Sequence, residues 1–346
     1  MFKNYSYESK SDKYSFDIDN IDLAIVNGIR RIILTDIPVV GFIGENEPTI
    51  EITNSNGPLH NEFLIHRIGL IPLNISEEET ENYVDNDLEF ELSEHNDINF
   101  KNIYTNMITG KNKGKELSKK ELEKIFPANK ITKSHILITK LRNNEYLQFK
   151  AKAVKKTARY NASFSPVSLC NFYYNQDTSL ITKETKILDK ERLYLKNEYG
   201  DPISFKFEIE IINAFSIKYI FSKAINIIIE KLLNIKKNLE DNTIKIEQFQ
   251  DLPNTFNFYI NDEDDTIGNI IQSIIHNNHI RKNKDICKYI GYICPHPLKQ
   301  LLIIRLTLDN KTDKSVFISY LENNISFIID ELHKIDENWN KFILSI

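Results

Sequence analysis

Cysteine, glycine and tryptophan are scarce in this chain of 346 residues, which holds 3, 10 and 1 of them. Three cysteines cannot build a disulfide framework, and they point to a reducing compartment. Cys287, Cys294 and His296 lie near one another in sequence, but a closed zinc site takes four ligands at tighter spacing. The cysteines therefore read as buried apolar residues. The glycines are scattered singly, which excludes a glycine-rich phosphate loop. No apolar run approaches the ~20 residues of a membrane span. Even Ala224 to Ile229 is interrupted by Asn226. The opening MFKNYSYESK is too polar for a signal peptide. With a net charge of -5 the chain has no bulk attraction to nucleic acid, so only local patches would bind it.

Enzyme signatures are missing as well. In HNEFLIH, His60 and His66 are six residues apart with Glu62 between them, so the histidines point to different helix faces and miss the HExxH arrangement. They read as histidines hydrogen-bonded within a packed helix. No serine or cysteine sits in a nucleophile elbow.

What the chain has is bulk and pattern. Twenty phenylalanines and sixteen tyrosines supply material for cores, and the length predicts two or three packed units. Tyr14 to Ile18 alternates as a strand, Asn20 or Asp19 offers a cap, and Ile21 to Leu34 has helical spacing. The same order recurs 242 residues later. Tyr14, Phe16 and Ile18 fall on Phe256, Phe258 and Ile260, while Asp22, Ile25, Asn27 and Ile29 fall on Asp264, Ile267, Asn269 and Ile271. The two ends read as copies of one unit.

Each copy is completed by a strand and a long helix. Ile203 to Ile211 alternates strictly, and Leu301 to Leu308 is an apolar run. The first helix carries Ile217, Phe221, Ala224, Ile228, Leu232, Ile235 and Leu239; the second carries Leu321, Ile325, Ile328, Leu332, Ile335, Trp339 and Phe342. Both step by four and three, and the second, in strict alternation, averages 3.5, the period of helices that run along a partner helix. Pairing the two stripes across a pseudo-twofold axis would bury both.

Residues 76 to 165 break this pattern. Glu77 to Asp97 holds ten acidic residues and no Lys or Arg, whereas Lys101 to Tyr160 holds sixteen basic residues against four acidic. These blocks read as solvated faces or loops. Leu88 to Leu92 and His135 to Thr139 look strand-like, and KNKGKELSKKELEK reads as an exposed loop entering a short helix, so the region is an inserted small domain.

Two segments carry candidate binding residues. Asn27, Arg30, Arg31 and Leu34 share one helix face, and paired guanidinium groups suit a carboxylate or backbone carbonyl on a partner. The second copy has Gln272 and Ser273 in place of the arginines, so the halves are not interchangeable. In PLHNEFLIHRIGLIPL, Pro58 favours a helix start, Phe63, Ile65 and Ile68 dock the helix on a sheet, and Gly69 permits a left-handed stop before Pro72.

The run VNGIRRIILTDIPVVGF with LHNEFLIHRIGLIPL resembles the third subunit of eukaryotic RNA polymerase II, its archaeal counterpart and the N-terminal domain of the bacterial alpha subunit. FSPV, Phe164 to Val167, resembles the segment by which that family returns from its inserted domain. NTFNFYINDEDDTIGNII with GYICPHPLKQLLIIRL resembles the eleventh subunit and its archaeal counterpart. The likeness spans about 240 residues and omits most of the insert. The chain looks like both subunits fused, as in RNA polymerases of large DNA viruses that transcribe in the cytoplasm.

The resemblance implies an α+β fold with two related dimerisation domains paired as an intramolecular pseudo-heterodimer, plus an inserted smaller domain. Residues 1–75 with 166–240 would form the third-subunit-like half, 76–165 the insert and 241–346 the eleventh-subunit-like half. It implies a non-catalytic assembly platform that docks the second-largest and largest polymerase subunits, with small accessory subunits alongside, because the active-site carboxylates belong to the large subunits. DNA is reached only through the complex, and no membrane is involved. Asn27, Arg30, Arg31 and Leu34 match the helix facing the second-largest subunit; His60, Glu62, His66, Arg67 and Gly69 match the next helix and turn. Gly268, Asn269, Pro295, His296 and Pro297 match the eleventh-subunit motifs. Many third subunits carry a cysteine cluster in the insert, but residues 76–165 contain none, so no metal or other cofactor is implied. The expected location is the cytoplasm of a host cell with packaging in the virion, or the nucleus if the protein is cellular. Two rivals remain: a nucleic-acid-binding protein using Lys101 to Tyr160, and a decoy that captures host polymerase subunits.

Overall fold

The structure is a computed structural model that describes residues 1–346 except 182–185, 191, 253, 283–285, 297 and 310–312, and omits the side chains of 187 and 188. The chain begins with β1 (Phe2–Glu8), β2 (Lys13–Asp19), α1 (Leu23–Thr35), β3 (Val39–Gly41) and β4 (Ile50–Ser55). Then follow α2 (Asn61–Gly69), α3 (Glu77–Glu81), β5 (Leu88–Asn96), β6 (Phe100–Tyr104), β7 (Thr109–Asn112), β8 (Lys115–Glu116) and α4 (Lys119–Ile125). Strands β9 (Leu137–Arg142), β10 (Glu145–Lys152), β11 (Val154–Lys156) and β12 (Val167–Tyr174) lead to α5 (Ile187–Lys190), β13 (Ser204–Ile211) and α6 (Ile217–Glu240). The remainder is β14 (Lys245–Gln248), β15 (Thr255–Asn261), α7 (Asp265–Ile275), β16 (Cys287–Ile293), β17 (Leu301–Leu308) and α8 (Lys314–Leu344).

The repeat seen in the sequence is a repeat of structure. Strands β2 and β15 begin and end 242 residues apart, and α1 and α7 start at the same offset. Between strand and helix, Asn20 and Asp262 both take positive φ, at 58° and 63°. Asn and Asp tolerate this left-handed turn better than other side chains. Each helix is then capped by an aspartate. Asp22 accepts the Ala24 N–H and Asp264 accepts the Thr266 N–H, both at 2.8 Å. The cap is thus Asp22 and not Asn20 or Asp19, because Asn20 makes the turn and Asp19 still belongs to β2, where it accepts from Ser204. A second offset, 97 residues, relates β13 to β17 at both ends and the starts of α6 and α8. The two four-stranded antiparallel sheets share one order, β1-β2-β13-β12 and β14-β15-β17-β16.

One core joins both repeats. It holds Phe16, Phe205, Phe207 and Phe221 of the first together with Phe258, Ile304, Leu306 and Leu332 of the second. Ile217, Phe221, Ala224, Ile228 and Leu232 on α6 are buried, as are Leu321, Ile325, Ile328, Leu332, Ile335 and Trp339 on α8. The first turns of α6 meet the last turns of α8, the relation of an antiparallel pair. There the Trp339 indole N–H donates to the Lys218 carbonyl at 3.2 Å, and Asn340 donates to Ser222 at 3.4 Å. The Trp339 ring lies 4.5 Å from Phe221, 4.7 Å from Phe16 and 5.2 Å from Phe2. Ile220, Ile225 and Ile229 are also buried, so α6 is covered on more than its partner stripe.

A second core surrounds the sheet β4-β10-β5-β7-β8 and the pair β6-β9. It draws in Val40, Phe42, Leu64, Ile68, Ile71 and Leu73 as well as Leu88 to Ala153. The expected boundary at residue 76 therefore moves: from Val40 onward the chain packs with the insert, because β4 pairs with β10 and α2 covers that sheet. Gly69 is not in the left-handed region, and Leu70 closes α2 with an αR turn. Glycine is needed there for contact: a Cβ would lie 2.8 Å from the Gly44 Cα and 2.9 Å from its nitrogen. Phe63, expected on the docked face, is 63% exposed; Leu64 docks in its place, beside the expected Ile68.

Removing the indole from the helix crossing tests this packing. Trp339→Ala is expected to cost about 3–5 kcal/mol in equilibrium urea unfolding. A midpoint equal to that of the unsubstituted chain would show the crossing to be energetically idle.

Candidate functional site

Helices α1 and α7 meet face to face, and their contacts are reciprocal under the 242-residue offset. Gly28 lies against Ile270, its own counterpart, so closely that a Cβ would come within 2.7 Å of the Ile270 Cδ1. On one side Asp22 accepts from the Ser273 hydroxyl at 2.9 Å and from Asn277 at 2.8 Å. On the other, Arg31 Nε donates to the Thr266 hydroxyl at 2.9 Å, with a terminal nitrogen 3.9 Å from Asp264. Asp22 corresponds to Asp264 and Arg31 to Ser273, so each helix-capping carboxylate faces the same position of the opposite helix. A self-complementary contact of this kind is what a twofold axis produces.

This geometry corrects the expected partner face. Arg31 is engaged by the second repeat, and Leu34 packs at the edge of the core. Arg30 Nε donates to Asn27 at 3.1 Å, so these two half-buried residues bond to each other along α1 and not across to the second repeat. The Arg30 charge also bears on Cys170, whose thiol burial pushes well above its ordinary range.

Beside the helix crossing lies an ion network that the sequence did not announce. Arg159, on the return from the insert, donates to Asp36 at 2.5 Å and to Asp264 at 2.9 Å. Lys231 of α6 lies 3.6 Å from Asp36 and 3.2 Å from Glu263. One guanidinium thereby ties the end of α1, the insert's return path and the start of α7. The only sequence signal was the acidic run Asp262 to Asp265, because Lys231 is one of five lysines on α6. Burial works to raise the Asp264 carboxyl, but the Thr266 hydroxyl and N–H and the Arg159 charge outweigh it and hold it below its ordinary value. Burial pushes the Glu263 carboxyl up, against the pull of Lys231.

The remaining expected residues are dispersed. His60, just before α2, and Glu62, His66 and Arg67 on it are exposed, so the histidines are not packed within the core. His66 lies 3.4 Å from Glu45. Arg67 donates to the carbonyls of Leu137 and Ile138, both at 3.0 Å, and so fastens α2 to β9. Phe63 and Leu70, 56% exposed, stand on the same helix face as His66. In the second repeat, a Cβ on Gly268 would fall 2.6 Å from Leu302 and 2.7 Å from Tyr292, so this glycine sets how closely α7 sits on its sheet. Asn269 is half-buried, whereas Pro295 and His296 are exposed, with His296 Nδ1 accepting the Leu298 N–H at 3.1 Å. Pro297 lies outside the described residues.

Parts of the two charge blocks are engaged within the fold. Glu77 accepts the Ser216 N–H at 2.7 Å, and Glu81 accepts from Tyr219 at 2.6 Å and pairs with Lys223 at 2.7 Å, so α3 sits on the start of α6. Strand register sets Glu89 opposite Lys152 and Lys111, and Glu91 opposite Lys150. At these positions acidic and basic side chains offset each other across neighbouring strands.

Because the Asp264 carboxyl is held low in the folded state, its contribution to stability is present above the unfolded value near pH 4 and fades as the pH falls through the folded value. Asp264→Asn should therefore lower the urea midpoint at neutral pH and flatten its fall between about pH 5 and 3. Parallel acid limbs in the two proteins would show that Asp264 plays no part in acid sensitivity.

Two family models match, both described as the RNA polymerase Rpb3/Rpb11 dimerisation domain, one over residues 15–232 and the other over 255–338. Among curated proteins, the chain is 24% identical over 176 residues to DNA-directed RNA polymerase II subunit rpb3 of Dictyostelium discoideum, covering 48% of this chain and 56% of that protein. It is 30% identical over 190 residues to DNA-directed RNA polymerases I and III subunit RPAC1 of Mus musculus, covering 46% and 51%. A shorter match, 38% over 61 residues, is to DNA-directed RNA polymerase II subunit RPB3 of Schizosaccharomyces pombe, covering 18% and 19%. The chain spans about half the length, at most, of these relatives. A match extending over more than half of the sequence, joined to a strand, cap and helix that occur twice, assigns the chain to the RNA polymerase Rpb3/Rpb11 dimerisation-domain family.

Proposed function

We propose that this protein is a non-catalytic assembly subunit of a multisubunit DNA-directed RNA polymerase, in which a third-subunit-like half and an eleventh-subunit-like half are paired within one chain. The observation that carries the reading is the reciprocal contact of α1 with α7, where Asp22 faces Ser273 and Asp264 faces the Arg31–Thr266 pair. Joining the halves in one chain makes their association intramolecular, at an effective concentration of about a millimolar for a short linker.

A pseudo-symmetric body with unlike outer surfaces suits two unlike neighbours, the second-largest and largest subunits, with small accessory subunits beside them. The outer face of β13 carries Lys206, Glu208 and Glu210, whereas the corresponding positions of β17 are Ile303, Arg305 and Thr307. Charge on one side and mixed apolar character on the other favour different partners. Arg30 with Asn27 is the remaining candidate contact on α1, since Arg31 is occupied. The one-chain arrangement is also the basis for a viral origin, with transcription in the host cytoplasm and carriage in the virion. The decoy reading uses the same surfaces and differs only in whether the captured complex transcribes.

Capture of the tagged full chain from its native source, followed by mass spectrometry and a transcription assay, tests the proposal. Two polypeptides far larger than this 40.5 kDa chain and DNA-dependent RNA synthesis are expected. Large subunits without synthesis would favour the decoy, and their absence would defeat both. Arg30→Glu is expected to reduce recovery of a large subunit by at least about tenfold while circular dichroism stays unchanged.

A further inference from the structure

The polar contacts between α1 and α7 do not by themselves dictate which half pairs with which. Two first repeats, from two copies of the chain, would bring Arg31 of one to Asp22 of the other. Two second repeats would bring Ser273 to Asp264. Both are donor-to-carboxylate contacts as sound as those observed. At the crossing itself Gly28 takes the Ile270 side chain, a fit that a like pair would lose, and a second difference lies beside it.

That difference lies one residue before each helix cap. At the 242-residue offset, Ile21 corresponds to Glu263, and both are 6% exposed. At the 97-residue offset, Lys231 on α6 corresponds to Ile328 on α8, which is fully buried. Glu263 reaches across to Lys231, with oxygens 3.2 and 3.5 Å from the ammonium, and Lys231 is also 3.6 Å from Asp36. Across the crossing, Ile21 lines a small cavity of about 180 Å³ with Phe327, Glu331 and Ile335 of α8 and with Asp22 and Asn277. At these positions one side of the pseudo-twofold holds an ion pair, the buried Glu263 with the partly buried Lys231, and the other holds two buried isoleucines.

We infer that Glu263 and Lys231 add to the fit of Gly28 on Ile270 in restricting pairing to unlike halves, and so disfavour dimers in which like halves of two copies pair. This rests on the reading of the protein as two paired halves. In a like pair of second repeats, Glu263 would meet Ile328, leaving a carboxylate buried without a cation, twice in each symmetric dimer. In a like pair of first repeats, Lys231 would meet Ile21 and keep only Asp36. Breaking a buried pair by removing one partner is costly, whereas replacing both partners by apolar groups is often neutral or stabilising. The pair thus selects a partner more than it stabilises the chosen one.

The test uses the full chain carrying either of two affinity tags, with the two forms mixed in denaturant, refolded together and assayed for dimers that carry both tags. Glu263→Ile with Lys231→Ile copies the apolar side onto the charged side, and mixed-tag dimers should rise at least about tenfold over the unsubstituted chain. The reversed pair, Glu263→Lys with Lys231→Glu, keeps an ion pair and should leave the dimer yield at the unsubstituted level. Unchanged yield from the doubly apolar chain would overturn the inference. So would equal yields from the reversed and apolar chains, including the case in which both misfold. A protease site placed after Asn242 checks the underlying reading separately. If the cleaved halves of the unsubstituted chain separate on gel filtration, the paired-halves reading fails whatever the dimer yields.

Discussion

The structure depends on a shortage of cover. Each four-stranded sheet shields one side of its long helix, and the opposite sides of α6 and α8 present isoleucine, leucine and tryptophan that the sheet of the same repeat does not cover. Water cannot be excluded from those stripes by either repeat alone. Laying the helices against each other removes both stripes together, at about 25 cal/mol per Å² of apolar surface. The shared order of the sheets, the reciprocal caps on α1 and α7 and the position of Trp339 all follow from bringing two similar half-covered bodies together.

What the sequence disclosed was whatever depends on period. Alternation marked β2, β13 and β15; steps of four and three marked α6 and α8; and a single offset paired Asp22 with Asp264. Those features are local, or repeat a local feature, so a linear pattern carries them. Turn chemistry was less legible. Asn20 looked like a cap because caps and left-handed turns draw on the same residue types, and only the backbone φ separates the two uses. Gly69 looked like a helix stop for the same reason, yet the fold uses it to bring α2 against Gly44.

The site was read less well, because it is made of contacts between residues far apart in the chain. Arg31 and Arg30 are adjacent on one helical face, but one turns to Thr266 and the other to Asn27. Nothing in the run GIRR distinguishes them. Arg159 sits in a basic block whose composition is that of a solvated face, while the structure half-buries it between two aspartates. The acidic and basic blocks looked like two separate features because they are consecutive in sequence. Register places part of each opposite the other on β5, β7 and β10, where Glu89 and Glu91 face Lys111, Lys150 and Lys152.

The position of α8 in chain order has a further bearing on how this protein comes to be folded. Everything that α8 covers, including Phe2, Phe16 and Phe221, is synthesised well before it. During translation the early repeat therefore leaves the ribosome with a greasy flank facing solvent, and nothing made up to that point can seal it. Long-range closure of this sort is slow and exposes sticky intermediates. Nascent chains stalled before residue 314 should thus be clients of holding chaperones, and release from them should coincide with emergence of the final helical rod.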